Sequence, residues 1–574
     1  MALVAWSWNM GSTGTRIDEK KQLQTLTAQN DLANWELIQK VRDDINTLLY
    51  QEELALRQRS RSIWLPAGDK NTKFFHQRAS QCRRKNNIDG LMDEGGRWCT
   101  LDAEKEGVVE RYFQRLFTTT NPTQMDIVLD KVDRVVTPDM NHTLLQPYRP
   151  KEVQQALFQM HPSKSPGPDG MSPFFFQKYW NIVGDDVIEA VLLVLASGHM
   201  LHKMNYTHIV LIPKINQPKN VADFRPINLA NVVYRIVSKV LANRLKQILP
   251  NVISESQSAF VPNQLITDNT TVAFEILHKM RNKRRGKKGQ IVIKLDISKA
   301  YDYVEWRFLR SIMLKLGIDE QGVRLAMEKV CTTSYSVLIN GEPRGYITPS
   351  RGIRQGDPRS PYLFLLCAEG LSSLIRHAVA FQNLHGILSY TNGVCISHLL
   401  FTDDSFICQA TEGECQHLLE LLSQYEQASG QAINRKKTTL FFSWNTKTKV
   451  KVAIQGMMGA RIMENCEKYL GLPMVGGKSK VNTLKDLGEK ITRRVLGWKE
   501  KYISKASREI LIKIVAQAIP TYTMRMFKIP KALCNIINST LAKYWWGQTK
   551  DEKKILWINW KKLCTPKKKG GMGF

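Results

Sequence analysis

The 574-residue chain is 43% hydrophobic and carries 82 Lys and Arg against 52 Asp and Glu, a formal net charge of +30. That composition excludes a disordered chain and points to a polyanionic partner, with nucleic acid ahead of a membrane because no apolar run approaches the roughly 20 residues of a spanning helix. Ten cysteines without a Cys-x-x-Cys pair exclude a zinc knuckle and a secreted disulfide framework, and the first residues lack the basic start and long apolar core of a signal peptide.

Trp35, Ile38, Val41, Ile45 and Leu48 recur at helical spacing and predict a long amphipathic helix over about 18–60. From Gln51 to Gly90 nine Lys or Arg stand against four acids, interleaved with Trp64, Phe74, Phe75 and His76. That mixture suits a single nucleic-acid strand, and equally a solvated helix with Trp64 and Phe75 in a core. Residues 120–150 lack strong periodicity and read as a linker or a small packing element. The run from Ser163 to Gly170 is a Pro- and Gly-punctuated loop, and the aromatics from Phe174 to Trp180 read as core.

His208 to Lys214 reads as a buried strand and Phe224 to Leu229 as a loop. Tyr234 to Leu249 reads as a helix with Lys239, Arg244 and Lys246 on its polar side. Arg281 to Gly289 is a basic loop. Ile291 to Asp296 is a strand whose period of two sets Asp296 opposite Ile293 and Leu295, at the end where a side chain can leave the core. Tyr335 to Ile339 turns at Asn340-Gly341, a strong hairpin signal. Gly352 to Pro358 is a glycine-bracketed loop entering a helix, with Ser360 as its N-cap and Pro361 as its first residue.

Ser397 to Cys408 rises through an apolar run to Asp403 and Asp404 and descends through another, which predicts two strands with the acids at the turn. Adjacent carboxylates repel and persist where a cation neutralises them; a pair of oxygen-bound Mg²⁺ ions would do so, and a polar hairpin tip is the bland alternative. From Thr492 to Tyr544, Leu496, Trp498, Ile503, Ile510, Ile514 and Ile519 predict further helices. The tail from Leu541 has nine lysines against two acids, with Trp545, Trp546, Trp557 and Trp560, and reads as a nucleic-acid clamp or as a tryptophan core with a lysine surface.

A strand ending in Asp296, a glycine loop entering a helix and a hairpin bearing Asp403 and Asp404 match what nucleotide addition requires. In-line phosphoryl displacement needs two metals about 3.5–4 Å apart, bridged by carboxylates from separate strands. Further blocks accompany them: Ser165-Pro166-Gly167-Pro168-Asp169-Gly170, Phe224-Arg225-Pro226-Ile227, Ser256-Gln257-Ser258-Ala259-Phe260-Val261-Pro262 and Leu295-Asp296-Ile297-Ser298-Lys299-Ala300-Tyr301-Asp302. After these come Arg354-Gln355-Gly356-Asp357-Pro358, Phe401-Thr402-Asp403-Asp404, Ser429-Gly430-Gln431-Ala432-Ile433-Asn434 with Lys437, and Tyr469-Leu470-Gly471-Leu472-Pro473. With these blocks in this order, from about Glu52 to the end, the chain resembles the reverse transcriptase region of plant LINE-type (non-LTR) retrotransposons.

The resemblance implies a right-hand polymerase of the α/β (α+β) class. Its parts would be a basic helical N-terminal extension over 1–120, a linker and the start of the fingers over 121–204, fingers and an antiparallel palm sheet over 205–475, and a helical thumb with a basic tail over 476–574. It implies Asp296, Asp403 and Asp404 as catalytic metal ligands, helped by the main-chain carbonyl of Ile297. Tyr301 would be the gate against a ribose 2′-hydroxyl, and Arg354, Gln355 and Gly356 would line template and incoming base. Lys437 would be the general acid at the pyrophosphate, with Lys214 and Arg225 as phosphate contacts from the fingers. The implied cofactors are two Mg²⁺ ions, with Mn²⁺ as the substitute. The implied partners are an RNA template, a DNA primer or target DNA and dNTPs, with no membrane, in the nucleus and cytoplasm.

Against the family pattern, Asn263-Gln264 stands in place of Gly-Arg, Arg359 in place of Leu, Thr402 in place of Ala and Tyr303 in place of Arg. These departures keep open a degenerate remnant that only binds RNA or DNA. The endonuclease domain with which such elements begin is not expected before residue 52, so a fragment is expected.

Overall fold

The computed structural model describes residues 21–26, 36–46, 48, 80–286, 289–388, 395–401, 404–409, 411–463, 468–473, 480–498, 504–547 and 555–574. Trp35, Trp64, Phe74, Phe75, His76, Lys287, Lys288, Thr402, Asp403 and Ile503 lie outside the described residues. The chain divides into two units, one of residues 88–162 and 166–483, the other of 1–87, 163–165 and 484–574.

In the first unit the strands run β1 (Leu91–Met92), β2 (Trp98–Cys99), β3 (Tyr206–Pro213), β4 (Phe224–Ala230), β5 (Ile291–Ser298), β6 (Ser334–Ile339) and β7 (Glu342–Ile347). They continue with β8 (Ile387–Leu388), β9 (Cys395–Ile396), β10 (His398–Phe401), β11 (Asp404–Gln409), β12 (Ala432–Ile433), β13 (Thr439–Phe442) and β14 (Arg461–Ile462). One sheet has the order β4-β3-β6-β7, with β3 and β6 parallel. The other has the order β10-β11-β5-β13-β14, with β12 also on β5, and every pairing but β13–β14 is antiparallel. The helices that matter below are α1 (Asp102–Phe117), α2 (Met125–Leu129), α3 (Pro138–Leu145), α4 (Pro150–Phe158), α5 (Trp180–Ser197), α6 (Val232–Val252), α7 (Ile266–Asn282), α8 (Trp306–Leu316), α9 (Ser360–Ala380) and α10 (Glu412–Ser429).

Strand β5 is the spine, and its composition explains why. Ile291, Ile293, Leu295 and Ile297 point into the main core with residues of α8, α9 and α10. Val292, on the opposite face, is buried beneath Ala273, Ile276, Leu277 and Met280 of α7. A central strand covered on both faces reads as a continuous apolar run. The cover ends after Val292, so Lys294 and Asp296 on that face are only half-buried. The reading of Asp296 as opposite Ile293 and Leu295 therefore holds.

Asn340 and Gly341, at φ +55° and +103°, make the β6–β7 turn with both central residues left-handed, the arrangement whose twist matches paired strands. The Asn340 side chain accepts a hydrogen bond from the Ile88 amide at 2.8 Å and donates to the Ile88 carbonyl at 3.1 Å.

Several expectations are corrected. Residues 88–120 are not part of an N-terminal extension: Val109, Phe113 and Phe117 of α1 share a core with Ile209 of β3 and Val337 of β6. Glu305, 1% exposed and capping the start of α8, accepts hydrogen bonds from Thr119 Oγ1 (2.5 Å) and from the amide and hydroxyl of Thr120 (2.9 and 3.0 Å). Arg351 pairs with Glu305 at 3.5 Å and donates to the Leu116 carbonyl at 3.0 Å. Of the two readings of residues 120–150, the packing element holds and the linker does not. Val128, Val132 and Val136 lie in the main core, and α4 and α5 pack on α6 through Val153, Leu157, Val191 and Val237.

Phe224 to Leu229 is strand β4 rather than a loop, because its register with β3 places Pro226 opposite Leu211 at the sheet edge, where a missing amide is tolerated. Arg244 is buried, not on a polar face. It caps the C-terminal end of α3 through the Leu144 carbonyl, reaches the Gln146 and Pro147 carbonyls, and pairs with Glu152 at 2.8 Å. Helix α9 begins one residue early, with Arg359 at the N-cap position and Pro361 second. It is also, among the described residues, the one helix long and apolar enough to cross a membrane, and 78% of its apolar window is buried within the protein.

In the second unit residues 21–26 and 36–46 are helical, with Val41 and Ile45 buried. Helices Lys485–Leu496, Lys505–Ile510, Ala518–Met526 and Lys531–Trp546 surround Ile491, Val495, Leu511, Ile512, Leu541 and Tyr544. Leu496 and Ile514, two of the residues that predicted these helices, are exposed. The aromatic tail divides: Trp545 is buried, Trp560 stacks on Phe574 at 5.1 Å, and Trp557 is exposed.

Candidate active site

Strands β10 and β11 pair antiparallel from His398↔Ile407 to Phe401↔Asp404, so Asp404 stands in the first rung of β11 rather than at the turn, and Asp403 lies outside the described residues. The last rung between β11 and β5 sets Asp404 directly opposite Asp296. Paired residues on neighbouring antiparallel strands lie about 4.5–5.5 Å apart at Cα. Ile297 follows as the first residue of β5 beyond that ladder, and it pairs on the other edge with Ile433.

Asp296 is held from both of its polar ends. Its carbonyl accepts the Asn434 amide at 2.7 Å, and its carboxylate faces Lys437 Nζ at 3.2 Å. Lys437 thus lies against Asp296. Like charges opposed across a rung require cationic neutralisation, and an all-oxygen donor set is what hard divalent cations take. Among the described residues no three acid, His or Cys side chains gather, Asp403 lying outside them.

The hairpin is clamped from outside. The Leu400 amide donates to the Ser256 carbonyl at 2.7 Å, and the Leu400 carbonyl accepts from the Ser258 amide and from Asn269 Nδ2. His398 is fully buried, its Nε2 within 2.9 Å of Ser256 Oγ and 2.8 Å of Ser372 Oγ, and burial with the nearby Arg376 pushes its pKa down to about 3. The imidazole is therefore neutral and serves as a structural hydrogen-bonding post. Sequence reasoning quoted Ser256 and Ser258, passed over Ser372, and assigned no role to His398 or Asn269.

The chain after β5 supplies the next wall. Lys299 adopts φ +46°, turning the backbone toward Tyr301 and Asp302. The Tyr301 carbonyl accepts the Ile353 amide at 2.9 Å and its half-buried ring stacks on Phe364 at 5.2 Å. Asp302 was not singled out from sequence. It is 5% exposed, accepts from Gln355 Nε2 at 3.2 and 3.3 Å, and burial pushes its carboxyl up to about 6 against the pull of Lys299, Lys214 and Arg351. The signal available was its place directly after Tyr301 in a block already identified.

The glycine loop differs from expectation at one residue. Arg354 does not line an open site. It is 4% exposed, donates to Asn205 O at 2.6 Å and Thr333 Oγ1 at 2.8 Å, and lies over the Tyr234 ring. Gln355 and Gly356 remain on the open side, the Gln355 carbonyl accepting from Asn228. Gly356 has φ +100°, so conformation rather than room requires glycine; a Cβ would sit 3.7 Å from the Asn228 carbonyl. Asn263, at φ +66°, takes the family's glycine position with the side chain best able to tolerate it.

Lys214 donates to the Ala222 carbonyl at 3.0 Å, and its amine is pushed below its usual value by desolvation and by Lys299, Arg225 and Lys437. Arg225 is exposed on β4. Cations from four segments thus repel one another close to Asp302, a field that attracts phosphate.

Residues 212–474 match the family model described as reverse transcriptase (RNA-dependent DNA polymerase). That match covers just under half of the chain. It contains the whole site from Lys214 to Lys437, and both sheets apart from the first strand residues of β3. The chain is 25% identical over 524 residues to the transposon TX1 uncharacterized 149 kDa protein of Xenopus laevis, covering 90% of this chain and 38% of that protein. It is 26% identical over 340 residues to the Pol polyprotein from type-2 retrotransposable element R2DM of Drosophila melanogaster, covering 58% and 31%. A 76-residue stretch is 54% identical to an uncharacterized mitochondrial protein of Arabidopsis thaliana. The chain therefore spans less than two-fifths of the first two relatives.

Proposed function

We propose that the chain is an RNA-directed DNA polymerase of a non-LTR retrotransposon, copying an RNA template from a DNA primer with dNTPs. The observation that carries this reading is the Asp296–Asp404 rung inside the stretch that matches the reverse transcriptase family, with Lys437 at the same carboxylate. On this reading the sheet around β5 is the palm, the sheet around β3 belongs to the fingers, and the helices after residue 480 are the thumb.

Asp296, Asp403, Asp404 and the Ile297 carbonyl would hold two Mg²⁺ ions, which supply charge to the triphosphate and acidity to the primer hydroxyl. Lys214 and Arg225 draw the triphosphate. Gln355, its amide oriented by Asp302, and Gly356 border the incoming base. Lys437, beside Asp296, donates a proton to the leaving pyrophosphate oxygen. The same reading assigns the protein to the nucleus and cytoplasm, and a tagged chain excluded from both would count against that assignment.

Primer extension by the purified chain tests the proposal, with RNA and DNA templates compared; incorporation on neither sinks it in favour of the binding-only remnant. Template affinity should fall steeply with salt, the slope of log K against log salt being about −0.7 per single-strand phosphate contacted. A flat dependence between low and physiological salt would contradict the nucleic-acid assignment itself.

Tyr301 follows Asp296 by five residues, its ring is half-buried and stacked on Phe364, and on this reading that ring borders the sugar of the incoming nucleotide. A flat wall accepts a 2′-hydrogen and clashes with a 2′-hydroxyl. Tyr301→Val should lower the dGTP/GTP ratio of kcat/KM by about 10- to 100-fold, the size of one steric contact in a pocket, while dNTP incorporation survives. An unchanged ratio returns Tyr301 to the core.

A further inference from the structure

We propose that a small pocket at the N-terminus of α9 is a binding site for one small monovalent anion of halide size, with chloride as its occupant. The cavity, of about 10 Å³, is lined by Tyr234, Lys329, Thr333, Arg354, Asp357 and Arg359, among others. That is room for a single water-sized particle and excludes a phosphate or a nucleotide. The inference does not depend on the polymerase reading, since Asp296 is not among the residues that line the pocket.

The charges do not balance. Lys329, Arg354 and Arg359 are 1%, 4% and 3% exposed, and Asp357 is the single carboxylate among the lining residues. Its oxygens are already engaged by the hydroxyls of Tyr234 and Ser238 and by the Arg359 amide at 2.8 Å. Lys329 Nζ donates to the Leu325 carbonyl at 3.2 Å. Among the described residues, Nε and Nη1 of Arg354 and Nε and Nη1 of Arg359 have no hydrogen-bond partner. The lining thus holds three cations against one anion, with Glu328, outside the lining, partly offsetting Lys329.

Buried unpaired guanidinium groups are costly, because desolvation is uncompensated. The end of the 21-residue α9 adds its own positive field at the same place. Burial and Arg359 together push the Lys329 amine down to about 7, as expected where positive charge is in excess. A water would fill the space and pair some donors but leave the charge. A halide fills the space, accepts from several N–H groups at once and neutralises one charge.

The test is thermal unfolding of the purified chain, without nucleic acid, in NaCl and in sodium glutamate at equal ionic strength. Chloride should raise Tm to a plateau that glutamate does not reach; at ten times the dissociation constant the folded-to-unfolded ratio rises about elevenfold. Arg359→Leu should abolish the chloride-specific rise, and Lys329→Met, the second variant should the first fail to fold, should weaken it. Crystals soaked in bromide should give an anomalous peak in the cavity. Equal Tm in the two salts, a rise that survives both substitutions, or a cavity without bromide would each overturn the site.

Discussion

Asp296→Asn is expected to slow dNTP incorporation by about 1,000-fold or more while leaving template affinity within about twofold. The asparagine has the same shape, so the rung opposite Asp404 and the bond from the Asn434 amide to the main-chain carbonyl both survive. What is lost is one negative charge at the position proposed to hold the metals. Charge stabilisation there is worth several kcal/mol, and each 1.36 kcal/mol is tenfold in rate. The ion pair to Lys437 also goes, but that lysine is 68% exposed, so the fold loses little. Single-turnover extension measures the first effect and filter binding to labelled RNA the second. Extension within tenfold of the unmodified protein would remove Asp296 from the reaction. Template binding lost in parallel would mean that the substitution unfolds the site.

Glu305→Gln is expected to destabilise the first unit by about 3–5 kcal/mol, the cost of leaving a buried cation without its partner. Arg351 is 7% exposed; beyond Glu305 it donates to the Leu116 carbonyl and feels the Asp302 carboxyl only through space. The amide also loses one of the acceptors that take the Thr119 and Thr120 hydroxyls. Urea unfolding of the purified protein should show a lower midpoint with an unchanged slope. A midpoint within error of the parent would mean that the tie between α1 and the start of α8 is dispensable, and that 88–120 is an extension after all.

What could be read from the chain followed local rules. The acid hairpin, the Asn340-Gly341 turn and the strand ending at Asp296 are each set within about a dozen residues, by apolar alternation and turn chemistry. Their order alone implied a two-metal site, and Lys437 was placed beside it by family resemblance. The errors lie where a side chain is claimed by a partner far away in sequence. Arg354 looks like an arginine of the open site until Asn205 and Thr333 take its Nη2 and burial takes the rest. Arg244 looks like a surface cation until the end of α3 needs a cap. Phe224 to Leu229 looked like a loop because proline was weighed without knowing that the strand lies at a sheet edge. Residues 88–120 carry no local sign that their apolar face fits against strands more than 200 positions later. His398 and Asp302 are silent for the same reason, since their roles are hydrogen bonds to Ser372 and Gln355.

The bond between Ile88 and Asn340 spans 252 positions, and that between Leu116 and Arg351 spans 235. A chain emerging from the ribosome has to carry Phe113 and Phe117 without their partners until residue 351 has cleared the exit. At about 5–20 residues per second that interval is roughly 12–50 s, long compared with helix formation or collapse. Helix α1 can form at once, yet its apolar side stays open to any other sticky surface in the cell. A message cut short before codon 340 would therefore yield a product that stays open permanently, so the abundance of full-length protein should depend on holdase chaperones more than the stability of the finished fold suggests.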